Sequence, residues 1–423
     1  MTPEEPATGI ARSAATAARA AARTDTPSGY ADVFRKALTF TRAEEARASG
    51  FYPYFIPIGG SEGTEVMIDG HKLIMIGSNN YLGLTHDPRV LEYAEQVARH
   101  YGTGCTGSRF LNGTLDLHLK LEHDLAEFIG KPEALVFSTG YQTNLGTIAA
   151  LAGRDDYMVI DKLDHACIVD GCQMSSAKTL RFKHNDMEDL ERVLRRIEPD
   201  KGRFIAVDGV FSMEGDIAPL PAIIELAQKY GARILCDDAH SLGVLGPRGD
   251  GTAAHFGVQD KVDLVMGTFS KSFASIGGVI AGEHRVIDFL KHHARPMIFS
   301  AGLPPYAVAT VQKCLDIIKA EPERRARLWQ ITEKMKAGFN SLGFDTTTSE
   351  TPIIPIIVGP LDQTFVFWKM LHEAGIFTNP VVPPAVPENA CRIRTSYMAT
   401  HTDEQLDRVL ETFGRIGKQL GLI

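Results

Sequence analysis

"LPAIIELAQKYGARILCDDAH", residues 220–240, holds the unit from which most of the chain is built. Apolar residues recur at helical spacing from Leu220 to Tyr230, Pro221 suits a first turn where its missing N–H is not needed, and Gly231 marks the stop. "ARILC" is then a short apolar run of strand length, and it ends abruptly in Asp237, Asp238 and His240. A helix followed by a buried strand with a polar end is one half of a parallel βαβ repeat.

The same texture runs from about residue 85 to 280. "EALVFST", "YMVI", "TLRF", "RFIAVDG", "VDLVMGT" and "GGVIAG" are further strand candidates, and "MEDLERVLRRI" has helical spacing. The pattern predicts an α/β fold with a mostly parallel sheet. After "ARPMIFSAGLPP" it changes to charged helices such as "EPERRARLWQITEKMKAGFNSLG", then "TPIIPIIVG", "CRIRTSYMA" and a closing helix that begins after Thr402. The expected organisation is a mobile tail at 1–29, an N-terminal segment at 30–60, a large domain at 61–296 and a smaller α+β domain at 297–423. The tail is rich in Ala, Thr, Arg and Pro and has almost no large apolar residue with which to build a core. Glu4 and Glu5 sit badly in a transit peptide.

Bulk composition excludes several partners. The 44 basic and 52 acidic residues are mixed along the chain, so no concentrated basic face is available for nucleic acid. The six cysteines are scattered, without metal-ligand spacing or the density of a disulfide scaffold, and read as reduced thiols in a cytoplasmic protein. No apolar run approaches the roughly 18–20 residues a membrane span needs. "GTGCTG", residues 102–107, matches the dinucleotide pattern G-x-G-x-x-G, but that pattern needs a strand before it, and the helical "VLEYAEQVARHYG" precedes it here. "GTFSKS" lacks the spacer and second glycine of a phosphate loop for nucleoside triphosphates.

Ligands in open α/β sheets bind outside the carboxyl ends of the strands. Those ends carry Asp208, then Asp237, Asp238 and His240, then Thr268, Ser270 and Lys271, and "STGYQ" after "EALVF". Pyridoxal 5'-phosphate requires a lysine for its aldehyde, an acid for its pyridine nitrogen and a phosphate cradle of hydroxyls and helix N-terminal amides. Lys271, Asp237 and "STGYQ" meet those demands, and a lysine among small neighbours loses its proton more readily when desolvated.

With these residues in view, the chain resembles the α-oxoamine synthases, pyridoxal-phosphate enzymes of fold type I. The likeness runs from about residue 50 to the C-terminus through "SNNYLGL", "GTGCTGSRFLNGT", "FSTGYQTNLG", "DHACIVDG", "DGVFSMEGDIAPL", "DDAHSLGVLGPRGDG", "GTFSKS" and "RTSYMATHT". "YPYFIPI", "HNDMEDLE", "HHARPMIFSAGLPP" and "NPVVPPAVP" are most similar to the bacterial branch that condenses L-serine with palmitoyl-CoA to 3-ketosphinganine, the first step of sphingolipid synthesis. The resemblance implies that Lys271 bonds the cofactor aldehyde and then acts as general base. Asp237 would pair with the pyridine nitrogen, His240 with the ring hydroxyl alongside Ser212, and His165 would stack on the ring and touch the substrate carboxylate. Gly140 and Tyr141 would give amides to the phosphate with Thr268, Ser270 and Ser300 of the partner subunit, while Asn79 and Arg394 would hold carboxylates. Strand alternation puts Arg392 on the face of Arg394, so a shared role stays open. Asp238 stands where relatives often have Glu.

The resemblance also implies a homodimer with shared sites, an acyl thioester on coenzyme A or a carrier protein, and weak contact with a membrane surface for a long-chain product. Two alternatives remain. One is another branch, 8-amino-7-oxononanoate synthase or 2-amino-3-ketobutyrate CoA ligase, with alanine or glycine as substrate; the other is a catalytically silent subunit, against which Lys271 argues.

Overall fold

The structure, a computed structural model, describes residues 31–423; the tail expected at 1–29 lies outside them. The chain divides into two compact units, the first ending at Tyr54 and the second beginning at Phe55. The described part of the first unit has two short helices, Arg35–Leu38 and Arg42–Ala48, and the Arg47 guanidinium lies 4.3 Å from the Tyr52 ring centroid.

The second unit opens with an antiparallel meander, β1 (Gly60–Glu62), β2 (Glu65–Ile68) and β3 (His71–Met75). A seven-stranded sheet follows, built from β4 (Glu133–Phe137), β5 (Asp156–Asp161), β6 (Lys178–Phe182), β7 (Gly202–Asp208), β8 (Arg233–Asp237), β9 (Leu264–Thr268) and β10 (Gly278–Gly282), in the order β4-β10-β9-β8-β7-β5-β6. The five strands from β9 to β6 pair in parallel, and β10 runs antiparallel to both neighbours. All seven coincide with the apolar runs read from the sequence. The inner strands lack alternation because both faces are packed: β9 and β10 are buried at every position and β8 at all but Arg233. The helix Leu220–Tyr230 ends at Gly231, whose φ of 66° is the left-handed stop that its sequence position anticipates.

"GTGCTG" lies between the helices Pro88–Tyr101 and Asp116–Ile129, and its loop is pinned by Arg109, which forks onto Glu122 at 2.8 and 3.0 Å with both side chains buried. Close packing needs glycine at Gly107 and, further along the loop, at Gly113, where a Cβ would lie 2.1 Å from the Gly107 carbonyl oxygen.

The C-terminal region carries β11 (Ile353–Gly359), β12 (Ile376–Phe377), β13 (Asn379–Val381) and β14 (Cys391–Ser396). β11, β14 and β13 form an antiparallel sheet, while β12 adds in parallel to β3. The sequence boundary near 297 falls in the short helix Arg295–Ile298; beyond it, the helix Pro305–Ala320 packs Val308, Val311 and Leu315 into the same core as Ile205 of β7 and Val265 of β9. A separate core joins the three-stranded sheet to the helices Pro322–Leu342, Leu361–Glu373 and Asp403–Gln419. Thr402 caps the last of these helices and shares a capping box with Gln405.

Phe413 centres that smaller core, edge-on to Phe339 at 5.1 Å and to Phe367 at 5.4 Å, and is fully buried. Phe413→Ala should destabilise this region by about 3–5 kcal/mol, seen as an earlier transition in urea unfolding followed by circular dichroism.

Candidate active site

The register of the parallel strands sets the site. Asp208 at the end of β7 pairs with Asp237 at the end of β8, and Asp237 pairs with Met266 of β9, two positions before Thr268. A cavity of about 280 Å³ opens at this rim, lined among others by Asp208, Asp237, His165, His240, Thr268 and Lys271. The two carboxylates after β8 part company there. Asp238 turns away, accepting from the Thr252 amide at 3.0 Å and hydroxyl at 2.6 Å, so it is a helix cap. Asp237 faces the cavity, its two oxygens accepting from Asn144 Nδ2 at 2.6 Å and the Ala239 amide at 2.9 Å.

Lys271 follows β9 in a turn of small residues. Burial lowers its pKa to about 8, against the pull of Asp237 and Asp208, and Arg394 adds to the lowering. A neutral amine is therefore available near physiological pH.

The helix Gly140–Leu151 aims its N-terminus at the cavity. Thr139 caps it, accepting from the Gln142 amide at 3.1 Å, and the Thr143 amide returns to the Thr139 carbonyl. The amides of Gly140 and Tyr141 are left open, a ready anion site. Thr268 and Ser270 hydroxyls, 3.1 Å apart, face the same end. A side chain at Gly140 has no room: its Cβ would lie 2.6 Å from Thr268 Oγ1, and a Cβ on Gly278 of β10 would lie 2.7 Å from Gly140 Cα.

Two neutral histidines complete the walls. His165 caps the helix Ala166–Met174, its Nδ1 accepting from the Cys167 amide at 3.2 Å, so its ring proton sits on Nε2. Burial lowers its pKa, and Lys271 reinforces this against Asp237. Burial, then the charges of Lys271 and Arg394, hold His240 well below its ordinary value. Tyr81, its phenol pushed up to about 12 by burial, lies 2.7 Å from His240 Nδ1, so a neutral phenol and a neutral imidazole share a hydrogen bond.

Arg394 reaches the site from β14. Its Nε donates to the Ser212 carbonyl at 2.6 Å, Nη2 to Asn79 Oδ1 at 2.9 Å and Nη1 to Ser396 Oγ at 3.4 Å. Arg394 also makes a side-chain hydrogen bond with Tyr81, and of its five N–H groups one is left over, a charged donor for a carboxylate. Arg392 shares the strand face but pairs with Glu214 at 3.2 Å and the Met213 carbonyl at 3.1 Å, so the two arginines have different partners. Ser300 lies apart from the cavity lining, its Oγ accepting from Gln142 Nε2 of the same chain at 3.2 Å. Tyr141 is partly exposed, with its phenol on Asp170.

Lys271, Asp237, His165, His240, Gly140, Tyr141, Ser212, Thr268 and Ser270 thus line one cavity, with Asn79 and Arg394 joined to it through Tyr81 and Ser212. Sequence reasoning assigned no role to Asn144, Tyr81 or Cys167. Asn144 was detectable as an amide on the helical face of Gly140, but nothing local points it at Asp237. Open amides, paired hydroxyls, a lowered lysine and an oriented carboxylate fit a phosphorylated pyridine aldehyde, and the space left by glycine at 140 lies where its phosphate would be held. Among the described residues no cluster of His, Cys, Asp and Glu could hold a metal ion.

The family model for aminotransferase class I and II matches residues 71–413. The serine palmitoyltransferase of Sphingobacterium spiritivorum is 51% identical over 380 residues, 90% of this chain and 95% of the relative. A solved structure of SPT with PLP internal aldimine superposes with a TM-score of 0.90 at 36% identity, covering 93% of this chain and all (100%) of the other. The 8-amino-7-oxononanoate synthase of Thermoanaerobacter pseudethanolicus is 42% identical over 384 residues, 90% of this chain and 97% of the relative.

Gly140→Ala should weaken binding of pyridoxal phosphate by about tenfold or more while leaving the fold intact, since Thr268 must give way; equilibrium dialysis with a circular-dichroism control measures both. In cofactor-free protein, acylation of Lys271 by an amine reagent should rise with pH around a midpoint of about 8, not at the ordinary lysine value of 10.5, as peptide mass spectrometry would record.

Proposed function

The chain belongs to the class I and II aminotransferase family and, within it, to the α-oxoamine synthases, and on that premise we propose that it condenses L-serine with palmitoyl-CoA, releasing carbon dioxide and free thiol to form 3-ketosphinganine. The observation that carries the chemistry is the desolvated Lys271 amine in one cavity with Asp237. The similarity to serine palmitoyltransferases at about half identity supports the substrates, the more so because the 8-amino-7-oxononanoate synthase is more distant.

Pyridoxal phosphate, when bound, supplies an electrophilic aldehyde and an electron sink. The amides of Gly140 and Tyr141 and the hydroxyls of Thr268 and Ser270 hold its phosphate, Asp237 its ring nitrogen, and His240 with Ser212 its ring hydroxyl. Asn144 and the Ala239 amide fix the Asp237 carboxylate before any ligand arrives, so little reorganisation is needed.

Lys271 Nζ, neutral in good part because it is desolvated, takes the proton from the serine Cα and later returns one to the same carbon. The Arg394 guanidinium holds the serine carboxylate, with Asn79 keeping it in place. His165 Nε2–H reaches the same carboxylate and holds it until acylation has occurred. The neutral state of His165, whose pKa is lowered by desolvation, avoids a second fixed charge that would compete with Arg394.

The same reading makes the protein a cytoplasmic homodimer in which Ser300 of the partner subunit completes the phosphate cradle, with weak contact at a membrane surface to release the long-chain product. Among the described residues no helix is long and apolar enough to cross a membrane.

An assay crossing serine, glycine and alanine with palmitoyl and short-chain thioesters tests the proposal. Serine with palmitoyl-CoA should release thiol fastest and yield a product with the mass of 3-ketosphinganine. Fastest turnover of alanine or glycine instead would place the chain with the other branches. Lys271→Ala should lower turnover by about 10³-fold or more, and undiminished activity would refute the mechanism.

A further inference from the structure

His184 opens "HNDMEDLE", a stretch outside the cavity lining, and sits between two buried carboxylates. Its Nδ1 is 3.1 Å from Asp161 Oδ1 and its Nε2 is 2.9 Å from Asp216 Oδ2. A neutral imidazole offers one donor and one acceptor, whereas carboxylate oxygens accept. Both Asp161 oxygens already accept from main-chain amides, those of Leu163 at 2.8 Å and Asn185 at 2.9 Å, so neither is placed to donate to the ring. Asp216 Oδ2 likewise accepts from Asn185 Nδ2 at 3.0 Å. The edge of the His184 ring packs against Phe211 at 4.4 Å, which fixes its plane.

Each carboxylate leads to a different wall of the site. Asp216 closes the turn after β7, where its carbonyl accepts from the Phe211 amide at 3.1 Å and Val210 bridges Ile217. That turn presents the Ser212 carbonyl to Arg394 Nε. Asp161 leads through its own amide to Asp164, which accepts from the Asp208 amide at 3.0 Å, and Asp208 lines the cavity.

We infer that His184 is a positioning residue held as a doubly donating imidazolium, which ties the end of β5 to the turn 210–217 and thereby sets Arg394 for the substrate carboxylate. The inference rests on the role proposed above for Arg394. The charged groups facing His184 are Asp161 from β5, Asp216 and Glu214 from the turn, and Arg392 of β14 behind Glu214. Burial opposes the charge on His184, but the hydrogen bonds to Asp161 and Asp216 outweigh it and raise its pKa to about 10. A pKa raised above the unfolded value of about 6.5 contributes stability that is complete below that pH and lost as pH climbs through about 10.

Three measurements test this. In wild type, ¹⁵N NMR of the histidine rings, assigned with His184→Gln, should show both His184 nitrogens protonated at pH 8. The stability difference between wild type and His184→Gln in urea should shrink as pH passes through about 10. In the condensation assay, His184→Gln should raise KM for serine about tenfold with kcat changed by less than about twofold, and adding Asp216→Asn, which removes the uncompensated charge, should recover most of the loss. A singly protonated ring at pH 8, an unchanged KM, or no recovery in the double variant would overturn the inference. Should His184→Gln fail to fold, the double variant serves for assignment and a folded double variant supports the charge argument. The NMR and urea results do not depend on the reaction, so failure of condensation in wild type would fall on the proposed function alone.

Discussion

The parallel register of β7, β8 and β9 is the constraint on which the rest of the molecule depends. It places Asp208 beside Asp237 and brings Thr268 and Lys271 to the same rim. A slip of one residue in any of these strands would turn its polar end from the cavity into the packed layer. Apolar side chains on both faces, from Ile205 and Val207 to Leu235, Cys236 and Val265, make such a slip costly, so the core of the sheet also specifies the chemistry at its edge.

Charge within the cavity is arranged as a set. Lys271 helps burial to keep His165 neutral, Lys271 and Arg394 together do so at His240, and Asp237 and Asp208 draw the other way on Lys271. Burial pushes Asp208 and Asp164 well above the carboxylate range, Asp237 adding to the effect at Asp208 and Asp208 to that at Asp164. A site with several buried carboxyl groups can thus avoid filling its floor with charge. The amine at Lys271 is tuned by the whole group and not by one neighbour.

Much of this was legible in the chain because it is written locally. The seven apolar runs became strands, Gly231 ended its helix and Thr402 capped the last one, since these outcomes depend on side chains within a few residues. Lys271, Asp237 and His240 stood out as polar groups at the ends of buried strands, and His165 through the family resemblance. Asp237 and Asp238 are adjacent and chemically identical; the sequence assigned Asp237 to the site, and the structure turns Asp237 to the cavity and Asp238 to Thr252. For Arg392 and Arg394 the sequence left a shared role open, and their partners on the turn after β7 separated them. Asn144, Tyr81 and His184 escaped notice because each matters through a residue remote in sequence.

Element limits, the α/β class and the residue types of a pyridoxal-phosphate site therefore follow from hydrophobic periodicity and from local chemistry at strand ends. Folding had to choose which carboxylate faces the cavity, which arginine keeps a donor free, and which tautomer each histidine adopts. Those choices rest on hydrogen bonds between residues far apart along the chain, such as Arg394 to Asn79 and Asn144 to Asp237. The free energy of a buried polar group is set by the partner it meets in space, and no local pattern carries that information.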